Sequence, residues 1–267
     1  MTTPGASRAR FACTVLAFGF AFLYLPLALV IAYAFNESRL VTVWAGFSFK
    51  WWAALLDNDD MLRAAWLSLR IAVVSASAAS LLGLAAGYVL ARVPKFFGRT
   101  LFGSLVVAPM VMPEVVMGIS MLLLFVGSER LMGGPARGFL TIVIAHTTFS
   151  LTFVALVVQA RLSGFDRSLE EAAMDLGATP WTTFLTVTLP LIAPAIVSGW
   201  LLAFTLSLDD LIMTQFVAGA QSQTLPMRVY SSVRLGVDPQ INVLATIIVC
   251  IAAAALVVSA RLSGRRS

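Results

Sequence analysis

The sequence predicts an all-α, polytopic membrane protein with six transmembrane helices. Of its 267 residues, 60% are hydrophobic and only 12% are charged, a balance typical of a chain whose solvent is lipid. Six apolar runs are also long enough for a helix to cross a bilayer, which takes roughly 20 residues. The predicted spans are residues 11–35, 64–91, 101–126, 139–160, 191–217 and 241–260.

The first run could be mistaken for a cleaved secretory signal, because Arg8 and Arg10 precede it and it ends in Ala32-Tyr33-Ala34. A signal has an apolar core of only about 7 to 15 residues, and this run is about twice as long. We therefore expect an uncleaved span. The predicted organisation is a cytoplasmic N-terminus over residues 1–10 and a single transmembrane domain over residues 11–266.

The orientation follows from the basic residues, because positive charge is retained on the cytoplasmic side. Segments that alternate along the chain carry Arg8, Arg10, Arg92, Lys95, Arg99, Arg161, Arg167, Arg261, Arg265 and Arg266. The intervening segments also hold arginine and lysine, but diluted over longer loops and offset by acids. Both termini are predicted to be cytoplasmic. The net charge of +5 is explained in this way, and the basic residues form no stripe with interleaved aromatics of the kind that binds nucleic acid.

Polar groups interrupt three of the spans. In the third span, Pro109 and Pro113 precede Glu114 and predict a kinked helix with a carboxylate deep in the membrane. The fourth span contains His146, the only histidine, which we interpret as hydrogen-bonded packing rather than a metal ligand because no Cys, Asp or Glu lies at ligand spacing. The fifth span contains Asp209 and Asp210, which should point about 100° apart on a helix.

These carboxylates have two interpretations. Intramembrane acids usually mark an ion or substrate route, which makes Glu114, Asp209 and Asp210 candidate pathway residues. Counting along the helices places Glu114 near mid-membrane and the aspartates toward the outer side. The alternative is that the aspartates form structural ion pairs with Arg228 or Arg234.

Residues 167–194 carry the densest local signals in the chain. Ser168 and Glu171 fit a capping box at the start of a short helix, and Gly177 is placed to end that helix in a left-handed cap. Thr179 and Pro180 then suit the start of a second short helix. Trp181, Phe184, Leu185 and Thr188 share one face of it, and Pro190 and Pro194 should disturb its end or the start of the next helix.

The spacing of this segment resembles a known signature. Glu171-Ala172-Ala173, Gly177, Val187 and Leu189-Pro190 follow the cytoplasmic EAA loop of permease subunits from binding-protein-dependent ABC importers, with valine where isoleucine is usual. The resemblance implies a type I ABC importer permease (MetI-like) fold, with the EAA loop over residues 162–190. It also implies that one set of residues couples the chain to its ATPase: Glu171, Ala172, Ala173, Gly177, Trp181, Phe184, Leu189 and Pro190.

The resemblance extends over nearly the whole chain and is closest to the polyamine branch of this family. Its residues are Asn36-Glu37-Ser38, Pro109–Glu114, Ser198–Asp210 and Leu225-Pro226-Met227. It implies import of putrescine first and spermidine second. The implied partners are a dimer of ATP-binding subunits, a second homologous permease and a periplasmic polyamine-binding protein.

Two further observations bear on function. The chain has no GxxxxGK[ST] pattern, so it should not hold nucleotide phosphates in the usual way. The resemblance implies that this chain binds no cofactor and that ATP and magnesium belong to the partner ATPase. A linear diammonium ion would need carboxylates along a desolvated route, as Glu114, Asp209 and Asp210 could provide. The alternatives are an ion-coupled secondary carrier of an organic cation, or an ABC permease for another substrate. A carrier would need no EAA loop, and no inverted repeat is visible.

The predicted topology can be tested with single cysteines. A cysteine at Asp59 or at Ser222 should react with a membrane-impermeant thiol reagent in intact cells, and one at Thr182 only after the membrane is opened. Labelling at Thr182 from the outer face would contradict the arrangement.

Overall fold

A computed structural model describes residues 4–40, 43–236 and 238–263, and the part of the chain that it describes is helical throughout, apart from loops and one isolated bridge between Asn36 and Phe47. The helices are α1 Pro4–Tyr33, α2 Lys50–Leu56, α3 Asp59–Arg92, α4 Arg99–Val111, α5 Glu114–Met132, α6 Phe139–Ser163, α7 Ser168–Asp175, α8 Pro180–Thr183, a π-helical turn Phe184–Thr188, α9 Leu189–Asp209, α10 Ile212–Val217, α11 Leu225–Leu235 and α12 Gln240–Ser263.

The all-helical membrane architecture is confirmed. Among the described residues, five helices are long and apolar enough to cross a membrane: Phe11–Tyr33, Asp59–Arg92, Glu114–Met132, Phe139–Ser163 and Pro180–Asp209. The predicted sixth span corresponds to α12, in which the shorter stretch Gln240–Ile251 is apolar. Between the first two spans, Lys50–Leu56 forms the short helix α2.

Two predicted spans are interrupted. The helix predicted over residues 101–126 divides into α4 and α5, because Met112 and Pro113 are both extended, with ψ of 136°. Pro113 lacks an N–H and disfavours helical backbone in the residue before it, so the predicted kink is a full break. The helix predicted over residues 191–217 ends at Asp209, and α10 begins only at Ile212.

The chain divides into two compact units. One comprises the described parts of Met1–Leu62 and Val229–Ser267, in which α12 packs against α1 and α2. Its loop after α1 is held by Asn36, whose side chain is buried and bonds the backbone of Val43 and Ala45 at 2.7 and 3.0 Å. The indole of Trp52 donates to the carbonyl of Ala34 at 3.1 Å, so α2 is fixed against the end of α1.

The second unit, Arg63–Arg228, has its core where α6 packs against α9, α4 and α10. Glycines allow α3 to approach α6 closely. A Cβ atom on Gly83 would lie 2.7 Å from Cβ of Val154, and one on Gly87 would lie 2.6 Å from the carbonyl oxygen of Ala155. Small residues permit such backbone contact in lipid, where dispersion rather than the hydrophobic effect holds helices together.

We predict that Gly87→Ala weakens this contact, because the new methyl group meets a backbone oxygen that cannot rotate away. The loss of stability should be about 1–3 kcal/mol, typical of overpacking, and should appear as a lower unfolding temperature of the purified subunit. Gly127→Ala on α5 is the matched control, since its Cβ would have nothing within 4 Å. Equal stability of the two variants would contradict the close packing of α3 on α6.

Candidate functional site

The loop between α6 and α9 begins with the short helix α7 at Ser168, as predicted, but the predicted capping box is wrong. Arg167 precedes the helix with αR backbone angles and makes no side-chain cap. Asp166 provides the side-chain cap instead, because its carboxylate accepts the Ser168 N–H at 2.9 Å. The hydrogen bonds from Ser168 lower the pKa of the Asp166 carboxyl. Glu171 is therefore not needed to close the N-terminus, and its side chain is exposed.

The predicted left-handed cap at Gly177 is confirmed. Its φ is +90°, and two backbone bonds close the end of α7: Gly177 N–H to Met174 O at 2.9 Å and Ala178 N–H to Ala173 O at 3.1 Å. This pair of bonds is the Schellman arrangement, which directs the chain away from the helix axis. The turn at Gly177 therefore sets the angle between the two arms of the loop.

The second arm begins as predicted, but it does not form a separate helix. Thr179 caps it by accepting the Thr182 N–H at 3.2 Å, and Pro180 occupies the first turn. The helix then widens into the π-turn Phe184–Thr188 and continues into α9. A π-turn leaves room for the ring of Pro190, which would otherwise press on the carbonyl of Thr186 four residues earlier. Residues Pro180–Asp209 thus form one helical stretch of 30 residues.

An ion pair that the sequence analysis missed holds the loop onto α3. Arg92 lies at the end of α3, and its guanidinium donates to Glu170 Oε1 at 3.1 Å and to the carbonyl of Leu162 at 3.1 Å. The same Oε1 accepts the hydroxyl of Thr188 at 2.7 Å. The pair is largely desolvated, with 8% of the Arg92 side chain and 13% of the Glu170 side chain exposed.

The outer face of the loop is open and partly apolar. No residue of α7 is buried; Leu176 is 91% exposed and Trp181 67% exposed. Ala172 and Pro190 are exposed as well, whereas Ala173 and Leu189 are half-buried. A contiguous exposed surface of this kind commonly marks a protein interface.

Phe184 is half-buried, like Ala173 and Leu189 of the predicted coupling set, and packs on neighbouring rings. Its ring stacks on Trp181 at 5.6 Å and meets Tyr88 of α3 edge to face at 5.3 Å. These aromatics border an open apolar groove of about 480 Å³ between α3 and the second arm. Phe184 is therefore a packing residue between the loop and α3.

The aspartates lie at a helix break rather than on one helix, so the prediction that they point 100° apart along a helix is wrong. Asp209 is the last residue of α9, and Asp210 is extended, with ψ of 123°. Asp210 Oδ2 accepts the N–H of Thr214 at 2.8 Å and also its hydroxyl. The Asp210 carboxylate thereby caps α10.

Asp210 pairs with His146. Nε2 of His146 lies 3.2 Å from Asp210 Oδ2 and 2.9 Å from the Thr214 hydroxyl, and Nδ1 lies 2.7 Å from the Ser207 hydroxyl. Ser207 in turn bonds Ser75 of α3 at 2.9 Å. His146 is 2% exposed and both of its ring nitrogens have hydrogen-bond partners, so it is a hydrogen-bonded packing residue.

Asp209 and Glu114 differ from Asp210 in that both are exposed. Glu114 is the first residue of α5, directly after the break at Pro113. Within the described ranges, no hydrogen bond or ion pair joins Glu114 to either aspartate. The structure therefore brings Asp209 and Asp210 together at one break and leaves Glu114 at another.

Comparison with known proteins identifies the family. Residues 79–266, which include the loop and both breaks, match the family of binding-protein-dependent transport system inner membrane components. The chain belongs to this family. It is therefore a permease subunit, a multi-pass component of an inner membrane.

Relatives are similar over most of the chain. The putrescine transport system permease protein PotI of Escherichia coli K12 is 54% identical over 242 residues, covering 90% of this chain and 86% of PotI. The spermidine/putrescine permease protein PotC of the same organism is 40% identical, covering 90% and 89%. A PotC from Haemophilus influenzae is 39% identical, covering 90% and 91%.

Solved structures share the fold. A bacterial ABC transporter involved in the import of the acidic polysaccharide alginate matches with a TM-score of 0.72 at 17% identity, covering 99% of this chain and 98% of that chain. An amino acid ABC transporter matches with a TM-score of 0.56 at 19% identity, covering 81% and 98%. The predicted ABC importer permease fold is confirmed, and the alternative of an ion-coupled secondary carrier is wrong.

The cap at Gly177 leads to a prediction about the loop. Gly177→Val places a β-branched residue at φ of +90°, which L side chains rarely adopt, so the second arm should leave α7 in a different direction. We expect the variant to lose most transport or fail to assemble with its ATPase, measured by uptake and by co-purification. Gly164→Val is the matched control, because Gly164 ends α6 with φ of −88°. Normal assembly and normal uptake in Gly177→Val would contradict a role for the turn.

Proposed function

We propose that this chain is the permease subunit of an ATP-driven polyamine importer, with putrescine as its first substrate and spermidine as its second. The observation that carries the proposal is the identity of 54% to PotI across nine-tenths of the chain, against 40% to PotC. Both relatives are named for polyamine transport. The higher identity to the relative named for putrescine favours the shorter diamine.

The carboxylates support a cationic substrate. A diammonium ion that leaves water needs negative charge close by, since an unpaired charge in an apolar medium is strongly unfavourable. Asp209 and Glu114 carry exposed carboxylates at two helix breaks, where a substrate could reach them. The Asp210 carboxylate already contacts His146 and Thr214, so its contribution to the route is chiefly to stabilise the break between α9 and α10.

The loop supports coupling to an ATPase. We propose that the EAA loop, residues 162–190, lies in the cytoplasm with both termini and docks its open face into a groove on an ATP-binding subunit. Glu171, Ala172, Leu176 and Trp181 present that face. A dimer of ATP-binding subunits, a second homologous permease and a periplasmic polyamine-binding protein would complete the importer. ATP and magnesium would be bound by the ATP-binding subunits.

The substrate can be tested by uptake in vesicles that contain the four kinds of subunit. Radiolabelled putrescine should accumulate only with ATP and the binding protein, and unlabelled putrescine should compete better than spermidine. Competition by spermidine alone would reverse the order of substrates. Absence of uptake for either polyamine would overturn the proposal.

The same assay tests the carboxylates. Asp209→Asn and Glu114→Gln keep the size of the side chain and remove its charge, so each should lower putrescine uptake about tenfold, equivalent to about 1.4 kcal/mol, without changing membrane abundance. Asp210→Asn should lower abundance as well, because it leaves His146 without its acid. Asp57→Asn, an exposed aspartate after α2, is the control. Normal uptake in both Asp209→Asn and Glu114→Gln would contradict the pathway.

A further inference from the structure

The contacts of Glu170 suggest a mechanical role that the EAA signature does not assign. One oxygen of its carboxylate, Oε1, bonds both Arg92 at 3.1 Å and Thr188 at 2.7 Å. Arg92 is the last residue of α3, and Thr188 is the last residue of the π-turn, directly before α9. A single carboxylate on α7 therefore links the end of α3 to the helical stretch Pro180–Asp209, at the residue directly before α9.

Further contacts surround this carboxylate. Thr188 is 1% exposed, and Arg92 is further fixed by the Leu162 carbonyl and by the ring of Phe165, which lies 5.5 Å from its guanidinium carbon. A second arginine of the loop, Arg167, donates to the carbonyl of Ala91 at 3.2 Å. Charge-assisted bonds in a desolvated site are short and directional, so α7 cannot shift without moving Arg92 and Thr188.

Thr188 lies at the end of the π-turn, and this position bears on whether movement of α7 can reach α9. Such turns are weak points in a helix and are frequent at functional sites. If the π-turn flexed freely, movement of α7 would be absorbed between Phe184 and Thr188 and would not reach α9. The bond from Glu170 bypasses most of this turn, because it ties α7 directly to Thr188, the last residue of the turn and the neighbour of α9.

We propose that Arg92, Glu170 and Thr188 form a strut that transmits movement of the EAA loop to α3 and α9. The three are positioning residues, since the open face of the loop would meet the ATPase and the strut lies on its other side. This inference rests on the proposed coupling function of the loop. It assigns to Glu170 the transmission of force and leaves the docking surface to Glu171 and its exposed neighbours.

The strut is tested in vesicles that contain the complete importer, by measuring putrescine imported per ATP hydrolysed and the stimulation of ATP hydrolysis by the loaded binding protein. Thr188→Val removes the hydroxyl with little change of volume, and we expect imported putrescine per ATP to fall at least about fivefold while complex abundance is retained. Thr188→Ser restores a hydroxyl and should restore the ratio. Glu170→Gln should lower the ratio further.

Two comparisons distinguish transmission from simple stability. Thr186→Val, in the same π-turn, removes a hydroxyl that bonds only the carbonyl of Thr182 and should leave the ratio unchanged. The double variant Glu170→Gln/Thr188→Val should be no worse than Glu170→Gln alone, because residues of one unit are not additive. A structural role alone would lower abundance and leave the ratio of putrescine to ATP intact.

The possible outcomes distinguish an error in the strut from an error in the proposed substrate. If the wild-type complex imports no putrescine but its ATP hydrolysis is still stimulated by the binding protein, the substrate is wrong and the variants are compared by that stimulation. An unchanged ratio and unchanged stimulation in Thr188→Val complexes overturn the strut, as does a Thr188→Val complex that cannot assemble when the Thr188→Ser complex can.

Discussion

A polar group within hydrocarbon must find its partner inside the protein, and this constraint accounts for much of the structure. Many hydroxyls on the spans bond the carbonyl four residues earlier in their own helix, as Ser77 does to Val73 and Thr205 does to Leu201. The groups that cannot be satisfied within one helix meet across helices. Ser75, Ser207, His146 and Asp210 form such a chain and thereby connect α3, α6 and the break between α9 and α10.

The same constraint decides where helices can break. An interrupted helix exposes backbone donors and acceptors, and two of the interruptions here carry their own compensation. Asp210 supplies the acceptor for the start of α10, and the π-turn before Leu189 keeps the chain helical beside Pro190. The end of α3 is closed in the same manner, because Arg99 donates to the carbonyl of Leu90 and Arg167 to that of Ala91.

Local signals in the sequence predicted local structure well. The left-handed cap at Gly177 and the helix start at Thr179 and Pro180 are both as predicted, because a cap depends only on the few residues around it. The break at Pro113 was underestimated as a kink, and the capping role given to Ser168 belongs to Asp166, two residues earlier in the chain.

Long-range contacts could not be predicted in this way. Glu170 lies next to Glu171, and nothing in their local spacing shows that the first meets an arginine 78 positions away while the second stays exposed. His146 and Asp210 are similarly 64 positions apart, and only the packing of α6 against α9 and α10 brings them together. A buried acid without a local partner was the one available signal, and it indicated that a partner must exist without indicating which residue it is.

The two candidate sites are linked by one element. The helical stretch Pro180–Asp209 begins in the second arm of the loop and ends at the first aspartate, and 30 residues at 1.5 Å each give a length of about 45 Å. A helix of this length is stiff unless its bonds are interrupted, and its one wide turn, Phe184–Thr188, is the place where Glu170 holds it. Under the proposed strut, a displacement at the loop would be passed along this helix to the break at Asp210. There α9 ends and the backbone is extended, so the proposed movement would change the position of the exposed Asp209 relative to α10, whose first turn Asp210 caps.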